Sequence, residues 1–282
     1  MAQPRRIVYC HCAFYDLVPK AAKDSILRLL ASLGLAFDPV PDLCELAAHK
    51  DPMLKEIAEG GSAAIVACHE RAVRWLFAAA GAPLPEKGVE ILNLRTRGPA
   101  EVTDRLLEGA VCQSGSCACN AGLVRALLDP QAGQWIPWFP VIDYDRCTGC
   151  RQCLDFCLFG VFAVDERGRV VVEHPENCKP NCPACARVCP EVAIIFPKYA
   201  SPPINGAKVT PEDEAADPVR VDLASLLGGD IHATLRKRSG AATDSGVRNP
   251  ESGLAPPDCS CVANILKRLG INPEGDERSH AS

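Results

Sequence analysis

The chain reads as an α/β amino-terminal domain, a parallel sheet with flanking helices, followed by a small cysteine-rich α+β unit and a mostly disordered carboxyl-terminal tail. Three observations predict this. Residues 5–110 alternate short apolar runs with amphipathic stretches, the pattern of strands and helices in a parallel layer. Eight cysteines crowd into two runs between positions 147 and 189. From about residue 201 onward Pro, Gly, Ser, Asp and Glu dominate and apolar periodicity fades, as in segments that bury too little surface to fold.

Taken in order, Arg6-Ile-Val-Tyr-Cys is the first strand. A helix over 19–33 follows, with Pro19 at its start and Gly34 just past its end. Asp42 is placed to cap a helical stretch that runs to Gly60-Gly61 and is broken at Pro52. Ala63-Ala-Ile-Val-Ala-Cys68 is continuously apolar and so a buried strand. A helix over 70–80 stops at Gly81, a strand covers 89–94 and a helix covers 99–107. No Gly-x-Gly-x-x-Gly turn follows any strand, so no NAD or FAD site is recognised.

The cysteines of this domain, residues 1–110, sit at telling places. Cys10 and Cys12 lie at the carboxyl end of the first strand, Cys68 at that of the next clear strand, and Cys44 just inside a helix. Ligands of open parallel sheets collect at the carboxyl edge, so these four can converge on one metal or redox site. Taken singly, Cys10 and Cys68 would serve as small buried hydrophobes. His11 and His69 adjoin them, either as solvent-edge histidines or as further donors. Residues 111–137 form a linker with Cys112, Cys117 and Cys119, three thiols able to complete a cluster or act as a redox dithiol, while Cys117 and Cys119 can instead stand in for Cys12 or Cys44.

The two long runs are Cys147-x2-Cys150-x2-Cys153-x3-Cys157 and Cys178-x3-Cys182-x2-Cys185-x3-Cys189-Pro190. Three thiols spaced by two residues wrap a short loop around three iron corners of a cubane [4Fe–4S] cluster, and the fourth ligand comes from elsewhere. One run alone also suits tetrahedral zinc. Two in tandem, each closing on an x3 step, favour iron–sulfur. Seventeen cysteines, behind a start with no apolar stretch of signal-peptide length, point to metal or redox work in the cytoplasm rather than disulfides. Val141-Ile-Asp-Tyr-Asp leads into the first run as a strand, and 161–173 reads as a hairpin with Gly168 at its turn. The segment after Cys189 repeats the pattern after Cys157, with Val161, Phe162, Val192, Ile194 and Ile195 shielding the cysteines from water.

On these eight cysteines and Pro190, residues 138–198 resemble a bacterial-type two-cluster ferredoxin, an α+β fold. The resemblance implies two [4Fe–4S] clusters in which the last cysteine of each run ligates the other cluster. Carried over, Cys147, Cys150, Cys153 and Cys189 surround one cluster, and Cys178, Cys182, Cys185 and Cys157 the second. Two positions depart from the family pattern: Leu158 stands where proline is usual, and the second run opens with three intervening residues, Lys179, Pro180 and Asn181. The longer loop makes Cys178 the ligand to test first.

A second resemblance rests on Val8-Tyr-Cys-His-Cys, Asp42-Leu-Cys-Glu and Ile65-Val-Ala-Cys-His-Glu-Arg-Ala-Val-Arg, which look like the amino-terminal domain of the flavin subunit of heterodisulfide reductases. It implies a third [4Fe–4S] cluster on Cys10, Cys12, Cys44 and Cys68. The flavin-binding region that follows in that family is missing, so neither FAD nor reductase chemistry is carried over.

A net charge of −5 leaves no basic footprint for nucleic acid. The longest apolar stretch, Trp75-Leu-Phe-Ala-Ala-Ala-Gly-Ala-Pro-Leu, falls well short of the ~20 residues that span a bilayer. The expectation is an electron-transfer subunit that relays electrons between redox partner proteins, themselves larger oxidoreductase subunits. A thiol/disulfide oxidoreductase subunit is the alternative, and a regulatory iron–sulfur sensor the third reading. Within the tail, 199–282, residues 219–238 and Cys259-Ser-Cys261 with 262–270 read as short docking helices.

Overall fold

The computed structural model describes residues 5–32, 37–107 and 135–215. Four parallel strands, β1 (Arg6–Cys10), β2 (Asp38–Val40), β3 (Ala63–Ala67) and β4 (Val89–Asn93), lie in the order β2-β1-β3-β4. The intervening helices are α1 (Lys20–Ser32), α2 (Leu43–Ala48), α3 (Pro52–Glu59), α4 (Glu70–Ala79) and α5 (Pro99–Leu107). Every residue of β3 is buried, which is why Ala-Ala-Ile-Val-Ala shows no polar alternation.

The alternation of side chains across the pleat divides the core. Ile7, Tyr9, Ala64, Val66 and Leu92 face α1 and α5, where Ile26, Leu27, Leu30, Val102 and Leu106 meet them. Val8, Cys10, Val40, Ile65 and Ala67 face α2, α3 and α4. This second core does not end at the sheet. It continues through Trp138, Phe139, Val141, Ile142, Ile194 and Phe196 into the cysteine-rich unit.

Local signals set the boundaries. Asp42 caps α2 by accepting from the Cys44 N–H at 2.9 Å, and Asp51 caps α3 in the same way from Met53 at 2.9 Å, with Pro52 at the first helical position. The expected break at Pro52 is thus the join between two helices. Gly81, at φ +77°, turns the chain out of α4. Strand β2 was not expected: it has three residues, contains Pro39 and lies at the sheet edge, where a missing N–H costs no ladder bond.

The cysteine-rich unit is built from two small antiparallel pairs. β5 (Val141–Ile142) pairs with β8 (Ile194–Ile195), and β6 (Phe162–Val164) pairs with β7 (Val170–Val172). The β6–β7 turn follows the expected chemistry, with Gly168 at φ +79° and the Asp165 carboxylate accepting from the Arg167 and Arg169 N–H groups. Short helices at Gln152–Phe156 and Ala184–Arg187 carry cysteines from each run.

Residues 199–215, grouped with the tail by sequence, pack on the body: Asn205 is buried, Gly206 lies against Ala72 of α4, and a last short helix covers Pro211–Ala215. The linker thiols Cys112, Cys117 and Cys119, and the tail segments at 219–238 and 259–270, lie outside the described residues. No described helix is long and apolar enough to cross a membrane.

Candidate metal centres

The second cysteine set gathers around one void. Cys157, Cys178, Cys182 and Cys185 line a cavity of about 190 Å³ whose other walls are apolar, among them Phe156, Val161 and Phe162. Cys157 reaches it from the first run. Cys178 is buried and within its wall, so the longer loop does not keep it away. Burial pushes the Cys178 thiol up to about 12, with Cys157 and Cys182 adding to the rise.

The first set is drawn together in the same manner. Burial, then the neighbouring Cys189, Cys147 and Cys150, push the Cys153 thiol up to about 12. Cys189 comes from the second run, and its Sγ accepts from the Ala193 N–H at 3.3 Å. Cys150 is exposed while Cys153 is buried, so this set stands at the protein surface. Cys185 is raised by burial and by its own set, and also by Cys153, which makes the two sets neighbours.

Backbone conformation shows how two short loops surround the thiols. Gly149 and Arg151 in the first run, and Asn181 in the second, have left-handed φ. The third residue after each closing cysteine does too, Gly160 at φ +66° and Val192 at φ +51°. The repeat legible in the sequence is therefore a repeat of backbone shape.

The amino-terminal cysteines form a third group. Cys10, Cys12, Cys44 and Cys68 all line a cavity of about 30 Å³ at the carboxyl edge of the sheet, with Asp42, Arg95 and Lys198 in the same wall. The parallel pairing of β1 with β3 brings the strand ends that carry Cys10 and Cys68 together, and α2 starts close by, its Leu43 N–H donating to Cys10 Sγ at 3.4 Å. Cys12 holds the left-handed φ of +51°, which turns it back toward the cavity and is uncommon for a residue with a side chain. Burial is the largest cause raising all four thiols, with Cys68 pushed up to about 12.

His11 and His69 do not line this cavity. His11 meets the Tyr9 hydroxyl at 3.3 Å, and His69 opens α4 and meets Asn93 Nδ2 at 3.0 Å. Burial lowers both to about 4, so they stay neutral.

Among the described residues no set of three or more His, Cys, Asp or Glu side chains is arranged to hold a single metal ion. Thiolates on mononuclear zinc sit about 2.3 Å from the ion. Cys157, Cys178, Cys182 and Cys185, spaced around a void with apolar walls, suit a larger thiolate-bound group, and a [4Fe–4S] cluster fits that donor set.

Sequence reasoning missed what joins the groups. Tyr15, three residues past Cys12, donates to Asn181 Oδ1 at 2.6 Å and lies 5.9 Å ring to ring from Trp138, whose Nε1 donates to the Cys182 carbonyl at 3.4 Å. Arg71 of α4 donates to Asp143 and to the Val192 carbonyl, both at 2.6 Å. Lys198 is buried and paired with Asp42, which sequence marked only as a helix cap. These contacts join residues far apart in the chain, and no local pattern announces them.

Fold and thiol grouping together define an iron–sulfur protein with a ferredoxin-like domain. Residues 139–162 match the 4Fe-4S binding domain family. An uncharacterized ferredoxin of Methanocaldococcus jannaschii is 48% identical over 25% of this chain and 48% of its own length. Ferredoxin-3 of Nostoc sp. is 39% identical over 20% of this chain and 76% of its own length. The pyruvate synthase subunit PorD of M. jannaschii is 33% identical over 23% and 72%. This chain belongs to the bacterial-type [4Fe–4S] ferredoxin family through that domain. It spans about half the length of the first of these relatives. No solved structure matches.

Proposed function

We propose that this protein is an electron-transfer subunit with three [4Fe–4S] clusters, two in the ferredoxin domain and one on Cys10, Cys12, Cys44 and Cys68. The observation that carries the third is the meeting of those four thiols at one cavity beside the ferredoxin domain. In the ferredoxin domain the ligands are Cys147, Cys150, Cys153 and Cys189 for one cluster and Cys178, Cys182, Cys185 and Cys157 for the other. Bound there, each cluster takes up and gives back one electron at a time. The protein holds the thiolates, excludes water and fixes the distances between centres.

Contacts support an order. Tyr15 and Trp138 run from Cys12 to Cys182, and Cys185 neighbours Cys153, so the centres follow one another from the amino-terminal cavity to the exposed Cys150. A redox partner at each end completes a relay. The similarity to a pyruvate synthase subunit supports a larger oxidoreductase as one such partner. Free thiols throughout the described residues accord with a reducing, cytoplasmic setting.

Thiol chemistry at the amino-terminal group is less well supported. Buried thiols held far above the ordinary range supply little thiolate for attack, whereas a metal group would deprotonate them on binding. Iron quantitation with EPR on reduced, anaerobically purified protein tests the proposal. With four irons per cluster, about twelve irons per chain are expected. About eight would remove the third cluster, and colourless zinc-loaded protein would remove all three.

A further inference from the structure

We propose that Arg71 is a positioning residue for the first ferredoxin centre: reaching over from the amino-terminal domain, its guanidinium fixes the peptide whose N–H donates to Cys189, and so raises that centre's reduction potential. This rests on reading Cys147, Cys150, Cys153 and Cys189 as the ligands of one cluster.

Arg71 lies in the first turn of α4, three residues past Cys68. Its Nε donates to Asp143 Oδ2 and its Nη2 to the Val192 carbonyl, both at 2.6 Å. These acceptors stand just beyond the β5–β8 pair, where the Asp143 N–H donates to the Ala193 carbonyl at 2.8 Å. Both ligand loops leave from this end. The Asp143 carbonyl accepts from the Cys147 N–H at 3.0 Å, and Val192 is the third residue after Cys189. One guanidinium therefore ties together the two segments that bring Cys147 and Cys189 to the same centre.

The peptide unit between Val192 and Ala193 is held at both ends. Its carbonyl oxygen accepts from Arg71, and its N–H donates to Cys189 Sγ at 3.3 Å. A cation on the carbonyl polarises the peptide and makes its N–H the stronger donor. Val192 has a left-handed φ of +51°, which a β-branched residue keeps only where its surroundings hold it there. The Arg71 side chain is 14% exposed and its Nη1 is buried with no hydrogen-bond partner among the described residues, so little water screens the charge.

A group bound by four thiolates is anionic, and its reduction adds one electron and one more negative charge, with no bond made or broken. An N–H donated to a ligand sulfur stabilises the more negative form, so firmer donation raises the potential. The amino-terminal domain thereby tunes a centre that it does not itself ligate.

The test is an EPR-monitored redox titration of the iron-loaded full chain, joined to ENDOR of the reduced protein in light and heavy water, which reads the exchangeable proton at Cys189. The first centre's signal is the one that Cys147→Ala removes. The main variant is Arg71→Met with Asp143→Asn, which leaves the net charge unchanged and strands no carboxylate. In it the first centre's reduction equilibrium is expected to weaken about tenfold, the worth of one hydrogen bond and ~59 mV for one electron, with a smaller proton coupling and the other midpoints in place. Arg71→Lys keeps the cation without the planar fork and is expected to fall by less. An unmoved midpoint at full iron content overturns the proposal. So does a lowered midpoint with unchanged proton coupling, which would make the effect one of field alone. Where the double variant loses its iron, Arg71→Lys decides: a lowered midpoint with smaller coupling supports the role, and a wild-type midpoint or iron loss there overturns it. Cys147→Ala protein with unchanged iron and every signal intact would instead refute the cluster reading itself, before Arg71 is read.

Discussion

Asn181 is one of the three residues, with Lys179 and Pro180, that make the opening loop of the second cysteine run one residue longer than that of the first. By sequence the insertion puts strain on Cys178. In the fold it solves two problems at once: asparagine tolerates the left-handed φ of +62° that bends the loop, and its side chain receives the Tyr15 hydroxyl from the other domain. Cys178 meanwhile is buried in the wall of the cavity it shares with Cys157, Cys182 and Cys185. If it ligates a corner iron, Cys178→Ser converts that centre to a three-iron form. The expected result is a new EPR signal in the oxidised protein and a loss of about one iron per chain. Unchanged iron and an unchanged spectrum would show that the loop does not hold a ligand.

Among the elements, the sheet strands and helices of 5–107 were legible because each carries its own punctuation. Pro19, Asp42, Pro52 and Gly81 mark helix ends, and the apolar runs at 6–10 and 63–67 are strands. β2 escaped because three residues with a proline carry no periodicity. The cysteine groupings were legible to the extent that spacing encodes them; the meeting of Cys10, Cys12, Cys44 and Cys68 followed from a parallel sheet collecting them at its carboxyl edge. The docking of residues 197–206 on α4 was not legible, since it depends on close approach rather than pattern. Gly206 shows how close. A Cβ there would lie 2.5 Å from the Ala72 Cβ and 2.9 Å from its backbone nitrogen, on a backbone at φ +87°. Gly206→Ala must push this segment off α4, at a cost of about 1–3 kcal/mol for overpacking alone. Denaturant unfolding of the iron-loaded protein should show a lower midpoint with the same slope, and an unaltered midpoint would mean that the segment is free to move aside.

For the whole molecule, the decisive fact is that one apolar core runs from the sheet into the ferredoxin domain. α4 is the shared element. Its Ala72, Val73, Leu76 and Phe77 are buried, and its half-buried Arg71 pairs with the buried Asp143 across the junction. Arg71→Ala would strand that carboxylate, at a cost of about 3–5 kcal/mol, measurable as a fall in unfolding free energy of the iron-loaded chain. The ferredoxin domain is too small to hold itself together without metal, so its fold and its cofactors are one equilibrium. Iron removal should then propagate. With the ferredoxin domain unfolded, α4 loses the surface that covers it, and the cavity wall loses Lys198. Anaerobic chelation followed by hydrogen exchange is expected to raise exchange in 63–79 as well as in 138–198, while 20–30 and 99–106, packed on the opposite face of the sheet, stay more protected. Protection that persists across 63–79 after the ferredoxin domain has opened would mean two independently stable domains. The spacing of centres would then be set by a docking equilibrium instead of by a common core.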